Sequence, residues 1–333
     1  MTALHGAGGL IMEKFLLERV LPKFRLRAAG PIGLDQMDDG AVLELPPGQV
    51  VFTTDSHVVK PLFFPGGDIG RLAVTGTVND LVVMGARPVA LSLAVVVEEG
   101  FPISDLERIL DSIAEVLAET GAALVTGDTK VMGKGELDGL VVNTAGIGVA
   151  ERVISDAGMR SGDWLVVTGP VGEHGLAILA ARNELPLETP VKSDLAPLWP
   201  ALAPALATGG ITAMKDPTRG GLAAALNEMA RKSGIGLEVE EEKIPVRPEV
   251  RGVCELLGIS PYELACEGRA VLAVAPEKLE EVLAALRSHP LTENAQVIGR
   301  ATSTYPGKVI LHTAVGGKRF LEMPLGDPVP RIC

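Results

Sequence analysis

Apolar residues recur at helical spacing in GGLIMEKFLLERVLPKF, which predicts a helix from about Leu10 to Val20. Two short β-branched runs, AVLEL and VVFTTD, flank the turn PPGQ and read as strands. DIGRLAVTGTVNDLVVM predicts a helix from Asp68 to Met84 with small residues on one face. The strand PVALSLAVVV follows, then a helix opened by Ser104 with Glu107 in capping-box spacing, then the strands ALVTGD and GLVVNTAGIGVA. ERVISDAGMRSGD interrupts the alternation as a linker and places a boundary near Asp156. Beyond it DWLVVTGP restarts the pattern. Helices are expected at HGLAILAARNEL, RGGLAAALNEMARKSG, PEVRGVCELLG and PEKLEEVLAALRSH, and strands at RAVLAVA, AQVIGR and KVILHTA. The last stretch, MPLGDPVPRIC, has three prolines in eleven residues and no period, so an extended, mobile tail is expected. The reading is α/β in both halves: residues 1–155, 156–322 and a tail 323–333.

A length of 333 residues with 47% apolar content supplies two cores. Forty-two acidic against 30 basic residues give a net charge of −12, the wrong sign for coating a phosphate backbone, so nucleic acid is not expected as a partner. No apolar run approaches the roughly 18 residues of a membrane span, and the start has no basic head followed by an apolar core. A cytoplasmic protein is expected. The three cysteines, Cys254, Cys266 and Cys333, show no CxxC spacing and are read as thiols.

Carboxylates stand at predicted strand ends or in Gly-flanked loops: Asp38, Asp39, Asp55, Asp80, Asp128 and Asp216. Hard cations such as Mg²⁺ take oxygen ligands and sit between one or two carboxylates and a substrate's phosphates, which such positions could supply. Capping of backbone N–H groups is the plainer role for any one of them. Glycine clusters at HGAGG, PGGDIG, TGD and at TRGG, which contains Thr218 and Arg219, could bring backbone N–H groups to phosphate oxygens, or could simply form turns. Neither a Walker A motif nor a strand-linked GxGxxG is present.

Cys333 is the last residue of the sequence and follows Pro328, Pro330 and Arg331, with nothing obvious to bury it. At about 3.3–3.6 Å per residue the eleven-residue stretch reaches roughly 35 Å, the geometry of a swinging carrier. An incidental cysteine is the plainer alternative. Lys134 in MGKGELDG and Glu267 in CEGRA are further candidates, although a surface charge is the plainer reading of each. His174 is read as a capping or core residue, Cys254 as a core thiol, and the other histidines show no ligand spacing.

In order along the chain, HGAGG, DDGA, TTDSHVVKPLFFPGGDIG, GTVND, TGDTKV, KGELDG, DPTRGG, RGVCELLG, CEGRA and PRIC resemble the HypE carbamoyl dehydratases of nickel–iron hydrogenase maturation. The resemblance spans essentially the whole chain. It implies a PurM-like fold with an N-terminal α/β domain forming a β-barrel across a homodimer, a C-terminal α/β domain, and ATP bound by aspartates rather than a P-loop. It further implies Asp39, Asp80, Asp128 and Asp216 as Mg²⁺ ligands, and Asp38, Asp55, Asp128, Thr218 and Arg219 on the nucleotide's phosphates. HypF would load a carbamoyl group onto Cys333, Lys134 and Glu267 would remove a proton during its dehydration, and cyanide would pass to iron on the HypC–HypD complex. A thiamine-phosphate kinase or selenophosphate synthetase would share the aspartates but has no use for a terminal thiol. A scaffold that uses ATP only to place its tail is the non-enzymatic alternative.

Overall fold

The computed structural model describes every residue except 3–4, 6–8, 38–39, 183–188, 327–328 and 330–333. Asp38, Asp39 and Cys333 therefore lie outside the described residues.

The N-terminal half begins with α1 (Gly9–Phe15), which continues as a π turn over Leu16–Val20 and a 3₁₀ turn over Leu21–Lys23. Its remaining elements are β1 (Gln49–His57), the two-residue strands β2 (Phe63–Phe64) and β3 (Gly67–Asp68), α2 (Ile69–Val83), β4 (Arg87–Glu98), α3 (Ile103–Thr120), β5 (Ala123–Met132) and β6 (Leu140–Ala150). AVLEL is not a strand. Its segment makes one isolated bridge, Ile32 to Val42, and pairs with no further strand; it runs so close to Gly30 that a Cβ there would stand 2.2 Å from the Val42 carbonyl oxygen. Ala41 and Leu43 instead pack on Ala90, Ala123 and Val125. Ser104 is likewise not a cap: it is the second residue of α3, whose N-cap is Pro102. The capping carboxylate is Asp68, which accepts from the N–H groups of Gly70 (2.8 Å) and Arg71 (3.0 Å) and so fixes the start of α2.

The four strands run in the order β1-β6-β4-β5, all antiparallel except the β4–β5 pair. Strand alternation gives this sheet two unlike faces. Leu91, Leu93, Val95 and Val97 of β4 join Leu106, Ile109, Leu110 and Ile113 of α3 and the apolar side chains of α2 in one core. On β1 the inward positions are Val51, Thr53, Asp55 and His57, whereas Val50 and Phe52 point outward and are 55% and 66% exposed.

The C-terminal half contains β7 (Trp164–Val167), α4 (Glu173–Ala181), α5 (Trp199–Ala207), β8 (Ile211–Lys215), α6 (Gly221–Ser233), β9 (Gly236–Glu240), α7 (Pro248–Leu257), β10 (Val271–Val274), α8 (Leu279–Arg287), β11 (Gln296–Thr302), β12 (Val309–His312) and β13 (Lys318–Phe320). Its seven strands form one mixed sheet in the order β13-β12-β9-β11-β7-β10-β8. One face, with Leu165, Val167, Val271 and Ala273, packs on Leu222, Leu226 and Met229 of α6. The other, with Val166, Leu272 and Val274, meets α5 and α8 and belongs to the same apolar cluster as the N-terminal core, so packing is continuous between the halves. His174 is a core residue, bonded through Nδ1 to the Ser193 hydroxyl at 2.8 Å and edge-on to Phe64, and Cys254 is a buried thiol.

Part of the stretch expected to be a mobile tail is anchored. Pro324 lies against Gly220 at the start of α6, and Val329 is 1% exposed within the large core cluster. Among the described residues no helix is long and apolar enough to cross a membrane.

Candidate active site

The inward face of β1 and the helix behind it build the acidic centre. Asp55 and His57 stand two residues apart on one face of β1, and α2 approaches them through Gly76, where a Cβ would lie 3.0 Å from His57 Nε2 and 3.7 Å from Asp55 Oδ2. A side chain at position 76 would occupy the space these two groups face. One turn further along α2, Asp80 accepts a hydrogen bond from the Thr53 hydroxyl at 2.8 Å.

The C-terminal half closes on this centre with two loops. Asp216 follows β8 directly and leads through Pro217, Thr218 and Arg219 into α6; Glu267 precedes β10. Both acids are buried. Burial pushes the Asp80 carboxyl up to about 7, with the charges of Asp216 and Asp55 adding to the effect. Burial raises Asp216 too, against the relief offered by Lys215 and Arg219. Glu267 is raised well above the ordinary carboxylate range by burial first, then by Asp216, Asp194, Asp55 and Asp80. His57 moves the other way, lowered by burial to about 4, and is neutral at pH 7.

Four carboxyl groups that repel one another, two of them buried, are a costly arrangement unless a cation or a proton completes it. Among the described residues, Glu267 Oε1 and His57 Nδ1 are buried without a hydrogen-bond partner. Also among the described residues, no group of three His, Cys, Asp or Glu side chains is placed to hold a metal ion by itself. That suits Mg²⁺, which keeps its own waters and is commonly shared between one or two carboxylates and a substrate's phosphates.

The expected site residues divide into two sets. Asp55, Asp80, Asp216 and Glu267 come together, with Arg219 close enough to act on both His57 and Asp216 and Thr218 in the same loop. Asp128 and Lys134 do not join them within one chain. The register Ser56–Asn143–Ala94–Asp128 runs across the sheet and places Asp128 on the outward face, opposite to Asp55. It borders a separate cavity of about 730 Å³ lined by Phe15, Leu34, Leu93 and Leu124. Lys134 is exposed in the turn between β5 and β6. Cys266 turns away from the acidic centre, its sulfur accepting from the Gly172 N–H at 3.2 Å. Sequence reading missed His57, Asn79 and Asp194. The i, i+2 spacing of His57 from Asp55, at the end of the predicted strand VVFTTD, was the available signal for the first.

Known proteins carry the same architecture. Residues 37–150 match the N-terminal domain of AIR synthase related proteins and residues 160–312 match the C-terminal domain of that family. The carbamoyl dehydratase HypE of Escherichia coli is 42% identical over 99% of this chain and 98% of its own length. HypE of Rhizobium leguminosarum bv. viciae is 44% identical over 99% of this chain and 94% of its own. A crystal structure of the hydrogenase maturation protein HypE in complex with ATP superposes with a TM-score of 0.92 at 40% identity, covering 100% of this chain and 99% of that one. The HypE of a HypE–HypF complex gives 0.80 at 40% identity over 95% and 100% of the two chains. A thiamine monophosphate kinase from Aquifex aeolicus, 21% identical with a TM-score of 0.59 over 82% of this chain and 90% of its own, shares the fold. Two matched domains and full-length identity above 40% place the chain in one group: it belongs to the HypE family of AIR synthase related proteins.

Proposed function

We propose that this chain uses ATP to dehydrate a carbamoyl group carried on Cys333 to a thiocyanate, the source of cyanide for nickel–iron hydrogenase. The observation that carries the reading is the acidic centre, where Asp55 and Asp80 of the N-terminal half meet Asp216 and Glu267 of the C-terminal half. Pro324 lies on Gly220, in the loop that also holds Asp216, Thr218 and Arg219, and Val329 is buried. An ATP-bound relative and a HypE–HypF complex, each about 40% identical, support ATP as the phosphoryl donor and HypF as the carbamoyl donor.

The carbamoyl oxygen is a poor leaving group and must first be phosphorylated. It attacks the γ-phosphorus of ATP, a C–O–P link forms as the bond to ADP breaks, and the carbon–oxygen bond then cleaves as nitrogen loses its protons. Thiocarbamate and ATP thus yield thiocyanate, ADP, hydrogen phosphate and one proton. Asp80 and Asp216 are the carboxylates of the acidic centre that would hold Mg²⁺, with Asp39 and Asp128 added by the family motif, and the cation would screen charge on the transferring phosphoryl group. Asp55, Thr218 and Arg219, with Asp38 and Asp128 by the same motif, flank the phosphates. Glu267, buried beside Asp216 and with its pKa raised by that burial, is the carboxyl group we assign to taking a proton from nitrogen. Lys134 is the second residue assigned to that proton by the family motif.

The outward face of the N-terminal sheet, with Phe52 exposed, supports a homodimer in which two such faces meet and close a barrel. Asp128, on that face, would then be available to the partner copy. The division into 1–155, 156–322 and 323–333, cytoplasmic location and cyanide delivery to HypC–HypD complete the reading. Mass spectrometry of the C-terminal peptide tests it after incubation with HypF, carbamoyl phosphate and Mg·ATP. Loss of one water from the carbamoylated peptide is expected. ATP turnover unchanged in Cys333→Ala, with no such loss in the parent protein, would reject it in favour of a scaffold.

A further inference from the structure

Glu267 sits in a loop, outside any helix or strand, yet a proton acceptor must be placed to within a fraction of an ångström. Two buried side chains from distant parts of the sequence hold its peptide. Asp194 accepts from the Glu267 N–H through Oδ1 (3.2 Å) and from the Gly268 N–H through Oδ2 (3.3 Å). From the other side, Asn79 Nδ2 donates to the Glu267 carbonyl at 3.1 Å and to the Ala196 carbonyl at 3.2 Å, while its Oδ1 accepts from the Leu198 N–H at 2.8 Å. Glu267 is therefore bonded at both of its backbone polar groups.

The clamp is itself braced. Arg269 Nε lies 3.6 Å from Asp194 and donates to the Pro170 carbonyl, Nη2 lies 3.0 Å from Glu173, and Nη1 donates to the Leu291 carbonyl. Gly268 lets the two segments touch, since a Cβ there would stand 1.9 Å from the Asp194 carbonyl oxygen. Asn79 also precedes Asp80 in α2, so one helix carries a carboxylate of the phosphate side and grips the loop of the proton-accepting side.

We propose that Asn79 and Asp194 are positioning residues that keep the Glu267 carboxylate in register with Asp80, so that phosphorylation of the carbamoyl oxygen is followed by loss of the nitrogen proton. The inference rests on the dehydratase reading and deepens it. With the clamp loosened, the carbamoyl oxygen is still phosphorylated, but the phosphorylated group waits longer for its proton to leave. Water then attacks phosphorus, the O–P bond breaks, and thiocarbamate and phosphate are regenerated. The net reaction of that detour is ATP and water to ADP and phosphate.

The test uses the full carbamoylated chain with Mg·ATP and counts ADP released per thiocyanate formed, the latter from the loss of water in the C-terminal peptide. The parent protein is expected to give a ratio of one. Asn79→Ala and Asp194→Asn are each expected to slow thiocyanate formation by about a hundredfold, the cost of a misplacement near 1 Å. ADP release should fall far less, raising the ratio severalfold, with KM for ATP within about threefold of the parent. Thiocyanate and ADP falling together at a ratio of one, or neither falling, would overturn the proposal. So would failure of both variants to fold, which would assign the pair to stability alone. A parent protein that forms no thiocyanate would remove the dehydratase reading as well, an outcome visible before any variant is made.

Discussion

The Thr53 hydroxyl on β1 donates to Asp80 Oδ2 on α2 across 2.8 Å, and this bond lowers the Asp80 carboxyl against the burial that raises it to about 7. Thr53→Val removes the donor and keeps the shape. Asp80 should then hold its proton at neutral pH, and the Mg²⁺ concentration giving half-maximal nucleotide hydrolysis at pH 7 should rise roughly tenfold or more, the scale of a hydrogen bond to a charged group. Thr53→Ser should restore it. A Mg²⁺ titration of the two variants checks the expectation.

The same carboxyl makes stability depend on pH. Its folded value near 7 exceeds the unfolded value of 3.8, so the folded state binds more protons between these limits. The Asp80 contribution is complete below pH 3.8 and is lost as pH rises through 7. His57 acts in the opposite sense: lowered to about 4 from 6.5, its contribution is complete above 6.5 and is lost as pH falls through 4. Thermal unfolding of ligand-free protein should show the Asp80 decline between pH 4 and 7 flattened in Asp80→Asn, whereas His57→Gln should stabilise chiefly the acid side.

Gly220 has φ of +76°, and a Cβ there would meet Ala224 Cβ at 2.8 Å and Pro324 Cγ at 3.1 Å. Gly220→Ala should strain the turn by about 1 kcal/mol and push the C-terminal segment away from the Asp216 loop. Dehydration is expected to slow several-fold with little change in KM for ATP, and residues 323–333 should be cut faster in limited proteolysis.

Phe52 is 66% exposed on the outward sheet face, so Phe52→Glu leaves the single-chain core intact. If two such faces meet, buried charges would oppose each other there. Sedimentation should then show a dimer for the parent protein and a monomer for the variant. Identical sedimentation of the two proteins would reject this face as the interface.

Sequence pattern revealed those elements whose burial is one-sided. α3 shows a regular apolar stripe, and β4 and β6 are β-branched and alternating. α5 was hidden because Pro200 and Pro204 interrupt WPALAPALA, although Pro200 lies in the first turn, where its missing N–H costs nothing. AVLEL looked like a strand because local propensity cannot report that the segment finds no partner strand beyond a single bridge. In the site, Asp55, Asp80, Asp216 and Glu267 were legible as acids beside glycines and strand ends. Asn79 and Asp194 were not, since a side chain that bonds backbone carries no motif of its own. The separation of Asp128 from Asp55 required sheet order and register, which no single strand encodes.

If Cys333 is the carrier proposed above, the buried Val329 four residues before it sets a toll on its traffic. Lifting that valine into water costs about 1.5–2 kcal/mol, which by itself leaves roughly one molecule in ten to thirty undocked at any moment. A loading enzyme that needs the undocked form sees its affinity weakened by the same fraction. On the proposed reading, binding energy from the loader's own contacts would have to unseat this aliphatic peg before the cysteine could be charged.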